Sequence, residues 1–398
     1  MMDYASLLSP AAKAMRPSGI RRFFDLAAER PNCISLGVGE PDFKTPWAVR
    51  DTAITTLEQG RTKYTSNAGL IALRREICTY LRRRMNLSYD PSQIVVTVGG
   101  SEAIDLTIRA LVSPGDEVII PEPCFVCYEP ITSLTGGVPV HVETKAEDGF
   151  RLTAEALRAA VTPKTKLLIL PYPNNPTGAI MREQDLAEIA EVLRGTDIMV
   201  LSDEIYSELT YTPEPFVSIA SLPDMAERTI VVNGFSKSYA MTGWRLGYAA
   251  GPQMIIQTMT KIHQSCIMSA PTTSQYAAVT ALKNCDDSIE KMRNEYNRRR
   301  RYLVEKLNSM GLTCFAPLGA FYVFPSLAIS GLSSEEFCER LLCEFDVAII
   351  PGNAFGACGE GYARISYAYS ISHLETAMNR IEKFLRSLGV AMPDVPQL

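Results

Sequence analysis

The 398-residue chain has only three histidines and two tryptophans, and it contains neither a GxGxxG loop nor a Walker A loop. No apolar run approaches the roughly 20 residues that span a bilayer, so no membrane partner is expected. The histidines, His141, His263 and His373, show no paired ligand spacing; they read as structural or surface residues, and no metal site is expected. The ten cysteines form no framework, and the one C-x-x-C pair, Cys124 and Cys127, has no second pair to complete a zinc site. Buried thiols in a reducing cytoplasm are the expectation. Net positive charge is also lacking: 39 Lys and Arg against 44 Asp and Glu leave −5. No global field therefore invites nucleic acid. The basic runs Arg82–Arg84 and Arg298–Arg301 lie in helix-like stretches and read as solvated faces. The opening segment MMDYASLLSPAAKAMRPSG lacks the basic-then-apolar order of a signal peptide.

What is present is globular. Hydrophobic residues make up 46% and charged residues 21%, which excludes disorder, collagen and coiled coil. At roughly 100–200 residues per domain, the length fits a large domain with a smaller companion. From Ile94 to about Asn284, short β-branched runs alternate with amphipathic helical stretches. IVVTVGG, DEVIIPEP, VPVHVET, TKLLILPYP, IMVLSDEI, TIVVNGFS and RLGYAAGP read as strands, several apolar on both faces as in a buried parallel sheet. SEAIDLTIRALV, LTAEALRAAV and REQDLAEIAEVLR have helical spacing between them. This rhythm predicts an α/β fold with right-handed crossovers: a three-layer large domain around a mostly parallel seven-stranded sheet, over residues 46–284. After about Leu307 the pattern changes, with strands in GAFYVFP, DVAIIPG and ARISYAY and helices in SSEEFCERLLCEF and LETAMNRIEKFLRSL. A smaller α+β domain from residues 1–45 and 285–398 is expected, with a cleft between the two.

Ligands of open α/β sheets bind in the loops after the strands, and four such loops hold unusual residues. Gly99-Gly100-Ser101-Glu102-Ala103 offers free N–H groups at a helix start, which favour an anion such as phosphate. Pro171–Gly178 (PYPNNPTG) is a rigid turn with paired amides. Asp203 and Glu204 end a buried strand, which is costly unless they are paired, so a buried cationic partner is expected. Finally Lys237 follows an apolar strand and precedes a Gly-Trp turn, unlike most of the twelve lysines. Desolvated there, it would release its proton readily and act as a nucleophilic amine. A phosphate cradle, an amine that condenses with an aldehyde, a carboxylate for a protonated ring nitrogen, donors for a phenolate and a flat face together describe pyridoxal 5′-phosphate.

With these residues in view, SKSYAMTGWRLGY, NPTG, DEIY, ARISYA, GEPDF and KYTSNAGL, in that content and spacing, resemble the fold-type I, class I/II aminotransferases over nearly the whole chain. The likeness is greatest to bacterial aspartate, aromatic and N-acetyl-diaminopimelate aminotransferases. It implies an enzyme moving an amino group from an L-amino acid to a 2-oxo acid by a ping-pong cycle. Position by position, the resemblance implies that Lys237 bonds the cofactor aldehyde and shuttles the proton at the substrate α-carbon. Asp203 holds the pyridine nitrogen, while Tyr206 and Asn175 bind the phenolate oxygen. Phe125 stacks on the ring. The amides of Ser101, Glu102 and Ala103, the Ser236 hydroxyl and Arg245 hold the phosphate. Tyr64 reaches the neighbouring subunit's phosphate, implying a homodimer with shared sites. Arg364 clamps the substrate carboxylate, helped by Asn175 and the Gly39 backbone.

Two departures stand out. Phe125 occupies a stacking position where relatives often carry Trp or Tyr. Between Lys261 and Lys283 there is no arginine or lysine to meet a side-chain carboxylate across the dimer; Arg21, Arg22 and Lys44, near the predicted cleft, read as surface charges. The alternative on the same scaffold is a C–S β-lyase or an aminocyclopropane-carboxylate-synthase-like lyase, which shares the cofactor machinery. A non-enzymatic regulator would need a DNA-binding domain, for which this chain offers no segment.

Overall fold

The structure is a computed structural model describing residues 2–15 and 19–391. Met1, residues 16–18 and 392–398, which the expected small-domain ranges include, lie outside the described residues, as does the side chain of Arg21. The seven runs between Ile94 and Ala250 form one seven-stranded sheet. In spatial order its strands are Ile94–Thr97, Gly247–Ala250, Thr229–Gly234, Met199–Asp203, Thr165–Leu170, Glu117–Glu122 and Val138–Glu143. Gly247–Ala250 runs antiparallel to both neighbours; every other pairing is parallel.

The apolar-on-both-faces reading is explained by where alternate residues go, since successive side chains of a strand point to opposite faces. Val95, Ile230, Val232, Leu167 and Ile169 pack with the helices Gly100–Leu111 and Gln253–Cys266. Ile94, Val96, Val231 and Tyr248 face the other way, onto Ile71–Met85 and Thr272–Asn284. Leu168, Leu170 and Val200 do the same toward Glu183–Leu193. Apart from the edge strand Val138–Glu143, where Val138, His141 and Glu143 are exposed, the strands thus bury two rows of side chains, at about 1.5–3 kcal/mol per large residue, and leave no polar row to mark a solvent face.

Near the two ends of the chain are two small sheets. Tyr322–Val323, Ala363–Ser366 and Ile350–Pro351 form an antiparallel one. The run DVAIIPG differs from expectation by splitting at Ile349: Val347–Ala348 pairs in parallel with Ile34–Ser35, while Ile350–Pro351 joins the other sheet. Residues 347–351 are all buried, so hydropathy could not mark the break.

The basic runs also differ from solvated faces. Arg299 is buried and joins Asp42 (2.8 and 2.9 Å) and Glu295 (2.8 Å). It falls on the inward stripe of Asp286–Ser309 with Met292, Tyr296 and Leu303, so helical period overrides charge. On the other run, Arg84 binds Glu208 and Arg83 binds Asp286. Arg22 pairs with Glu339 at the surface.

Candidate active site

The parallel strands end at one edge of the large sheet, and the four loops singled out from sequence meet there around a cavity of about 530 Å³. Its wall includes Gly39, Ser101, Phe125, Asn175, Asp203, Tyr206, Ser236, Lys237, Arg245 and Arg364. Tyr64 is not among them: its side chain is 81% exposed. Glu102 and Ala103 lie in the first turn of Gly100–Leu111 with side chains directed elsewhere, Ala103 into the core and Glu102 toward His263.

Lys237 is half-buried just beyond the strand Thr229–Gly234, and its Nζ donates to the Gly39 carbonyl. Burial lowers its amine from the ordinary 10.5 to about 8; Glu40 opposes the shift, while Arg364 and Arg245 add to it. A free-base amine is therefore accessible near neutral pH.

Asp203 is buried. Its Oδ2 accepts from the Tyr128 hydroxyl at 2.8 Å and its Oδ1 from the Ile205 N–H at 3.2 Å. Burial pushes its carboxyl above the usual range, with these bonds and Lys237 opposing. Among the described residues neither Asp203 nor Glu204 is paired with Lys or Arg, so the chain itself supplies no cationic partner. Glu204 instead accepts from the hydroxyls of Ser202 (2.9 Å) and Ser218, and burial raises it to about 7. Two small hydroxyls take the place of a cation there.

Arg364 is buried, with its guanidinium between the rings of Tyr322 (4.6 Å) and Phe355 (4.7 Å). Nη1 donates to Asn175 Oδ1 at 2.8 Å and Nη2 to the Gly37 carbonyl. Its Nε has no partner among the described residues, and burial lowers its pKa. A buried cation with a spare donor is a receptor for a carboxylate.

At the other end, Gly99 takes φ +81°, and a Cβ there would lie 2.7 Å from Arg245 Nη2. Only glycine lets the chain turn this closely under the guanidinium. Arg245 itself has φ +50°, a left-handed backbone of the kind that collects at functional sites. The Tyr206 and Tyr322 hydroxyls are 2.8 Å apart.

These residues fit pyridoxal phosphate: a desolvated lysine, a buried carboxylate lacking its cation, an aromatic wall and a glycine turn under an arginine at a helix start. Sequence reasoning missed Tyr128, Tyr322, Phe355 and Glu40. Tyr128 and Tyr322 carry no local signature, because their roles depend on partners 75 and 116 positions away.

The description "Aminotransferase class I and II" matches residues 31–381. YugH of Bacillus subtilis is 55% identical over 96% of this chain and 98% of its own length. An aspartate aminotransferase of Pyrococcus abyssi is 46% identical over 95% and 98%. The crystal structure of an aromatic aminotransferase from Pyrococcus horikoshii superposes with TM-score 0.89 at 45% identity, covering 93% of this chain and all of that one. The chain belongs to the class I and II aminotransferases. It is an enzyme of the pyridoxal-phosphate-dependent kind, a transaminase on the type I fold.

Proposed function

We propose that this cavity moves an amino group from an L-amino acid to a 2-oxo acid in two half-reactions that share one site. The observation that supports this most is that a desolvated amine, a buried carboxylate and a buried arginine with a spare donor face one cavity from separate segments. Pyridoxal phosphate, when bound, supplies an aldehyde to receive the amino group and a ring that draws electrons from the substrate α-carbon. Lys237 would hold it between turnovers and carry the proton at the substrate α-carbon. Asp203 would keep a ring nitrogen protonated, Tyr206 and Asn175 would bind the phenolate oxygen, and Phe125 would lie on the ring face. The amides of Ser101, Glu102 and Ala103, with Ser236 and Arg245, would take the phosphate. Arg364, with Asn175 and the Gly39 backbone, would hold the substrate α-carboxylate.

Tyr64 would complete a second copy's phosphate site, making a homodimer of shared sites. Exposed Trp47, Ile54 and Leu57 on the helix Trp47–Glu58 give that reading an apolar surface to bury. A division into a large domain, 46–284, and a small one, 1–45 with 285–398, accords with the confinement of the large sheet to residues 94–250. Ten cysteines outside any disulfide fit a reducing cytoplasm. The test is a screen of amino donors, aspartate and aromatic amino acids first, against 2-oxoglutarate, pyruvate and oxaloacetate. Product that forms only when an acceptor is present supports transfer. Ammonia and an oxo acid released without an acceptor would identify a lyase instead.

A further inference from the structure

The helix Gly100–Leu111 begins without the usual side-chain cap, since Gly99 precedes it. Glu102 closes this turn from within. Its carboxylate accepts the N–H of Val98, the residue entering the turn, and its other oxygen lies 2.8 Å from Nδ1 of His263. His263 is wholly buried on Gln253–Cys266, which packs along Gly100–Leu111. Its Nε2 has no partner among the described residues. A leucine would fill similar space without stranding a ring nitrogen in the core, so what the imidazole contributes is its Nδ1 contact. That contact bears on charge as well as shape. A carboxylate in this turn would compete for the N–H groups and oppose an anion bound there. Glu102 instead stays off the cavity wall, to which Gly100 and Ser101 contribute.

We propose that His263 is a positioning residue for the cofactor phosphate: through Glu102 it fixes the Val98–Gly100 turn so that the N–H groups of Ser101–Ala103 face the cavity. This rests on reading that turn as the phosphate cradle. The role explains why a histidine is buried against a single acid.

The test compares binding of pyridoxal phosphate and of pyridoxal, which lacks only the phosphate, to the apoprotein by absorbance titration. His263→Leu keeps volume and removes the donor; His263→Asn returns an amide N–H near the place of Nδ1. His263→Leu should weaken pyridoxal phosphate roughly tenfold, the scale of one bond to a charged group, with pyridoxal little changed, and His263→Asn should recover most of the loss. An equal loss for both ligands, no loss, or no recovery would overturn the proposal. Should His263→Leu fail to fold, Glu102→Ala removes both the acceptor for Val98 and the partner of His263, and the same phosphate-selective loss is expected. Ser236→Ala separates the two levels: if it too leaves the preference for the phosphorylated ligand intact, the cradle reading fails. If only the His263 variants leave that preference intact, His263 has no such role.

Discussion

Lysine in place of Arg364 probes the substrate end of the cavity. The guanidinium is held before substrate arrives, between the Tyr322 and Phe355 rings and by Asn175 and the Gly37 carbonyl, with Nε unpartnered. Little ordering therefore remains to be done on binding. Lysine keeps one positive charge but loses the flat fork that both rings sandwich, and with it one of two charge-assisted bonds to a carboxylate. At about 1.5–3 kcal/mol per bond, kcat/KM should fall roughly ten- to a hundredfold. The carboxylate does not react, so it is bound alike before and during the chemistry, and the loss should appear mainly in KM. The assay is steady-state kinetics on an amino acid and on the amine left when its carboxylate is removed. The fall should be confined to the amino acid. A change below about threefold, or an equal fall for the amine, would refute the assignment.

Three further outcomes follow from the same geometry. In the apoprotein, modification of Lys237 by an amine-directed reagent should rise with pH through a midpoint near 8, and Glu40→Gln should move the midpoint lower; a midpoint near the ordinary 10.5 would show that the amine is not desolvated. Glu204, raised by burial from 4.5 to about 7, keeps a proton in the folded chain that the unfolded chain releases across that window. Stability should therefore be full below pH 4.5 and be lost as pH rises to 7, so Glu204→Gln should gain up to roughly 3 kcal/mol at pH 8 relative to pH 4 in urea titrations; a pH-independent difference would contradict this. Asp203→Asn preserves an acceptor for Tyr128 but removes the charge, so the protein should still bind pyridoxal phosphate, by absorbance, and lose at least about two powers of ten in kcat; unimpaired turnover would remove Asp203 from the chemistry.

The large sheet was readable because its strands are short, apolar on both faces and separated by helical spacing, and because Lys237 interrupts an apolar context in a way few lysines do. Features that depend on distant chain segments were not readable. Whether Glu204 meets a cation or the hydroxyls of Ser202 and Ser218 depends on a loop 14 positions on. Arg299 looked solvated because its run of four arginines hides the one that helical period turns inward to Asp42. His263 reads from sequence as a structural or surface residue because its partner, Glu102, is 161 positions away. Tyr322 comes to the cavity from the antiparallel sheet, out of sight of any motif. Local pattern identified the chemistry-bearing loops, and tertiary pairing supplied the residues that hold them in place.

Borohydride reduction of the protein loaded with pyridoxal phosphate, followed by peptide mass analysis, asks most directly whether one amine anchors this chemistry. The pyridoxyl mass should appear on the peptide carrying Lys237, and no label should remain in Lys237→Ala. Label on another lysine, or none on the loaded wild-type protein, would contradict the assignment from which the other roles follow.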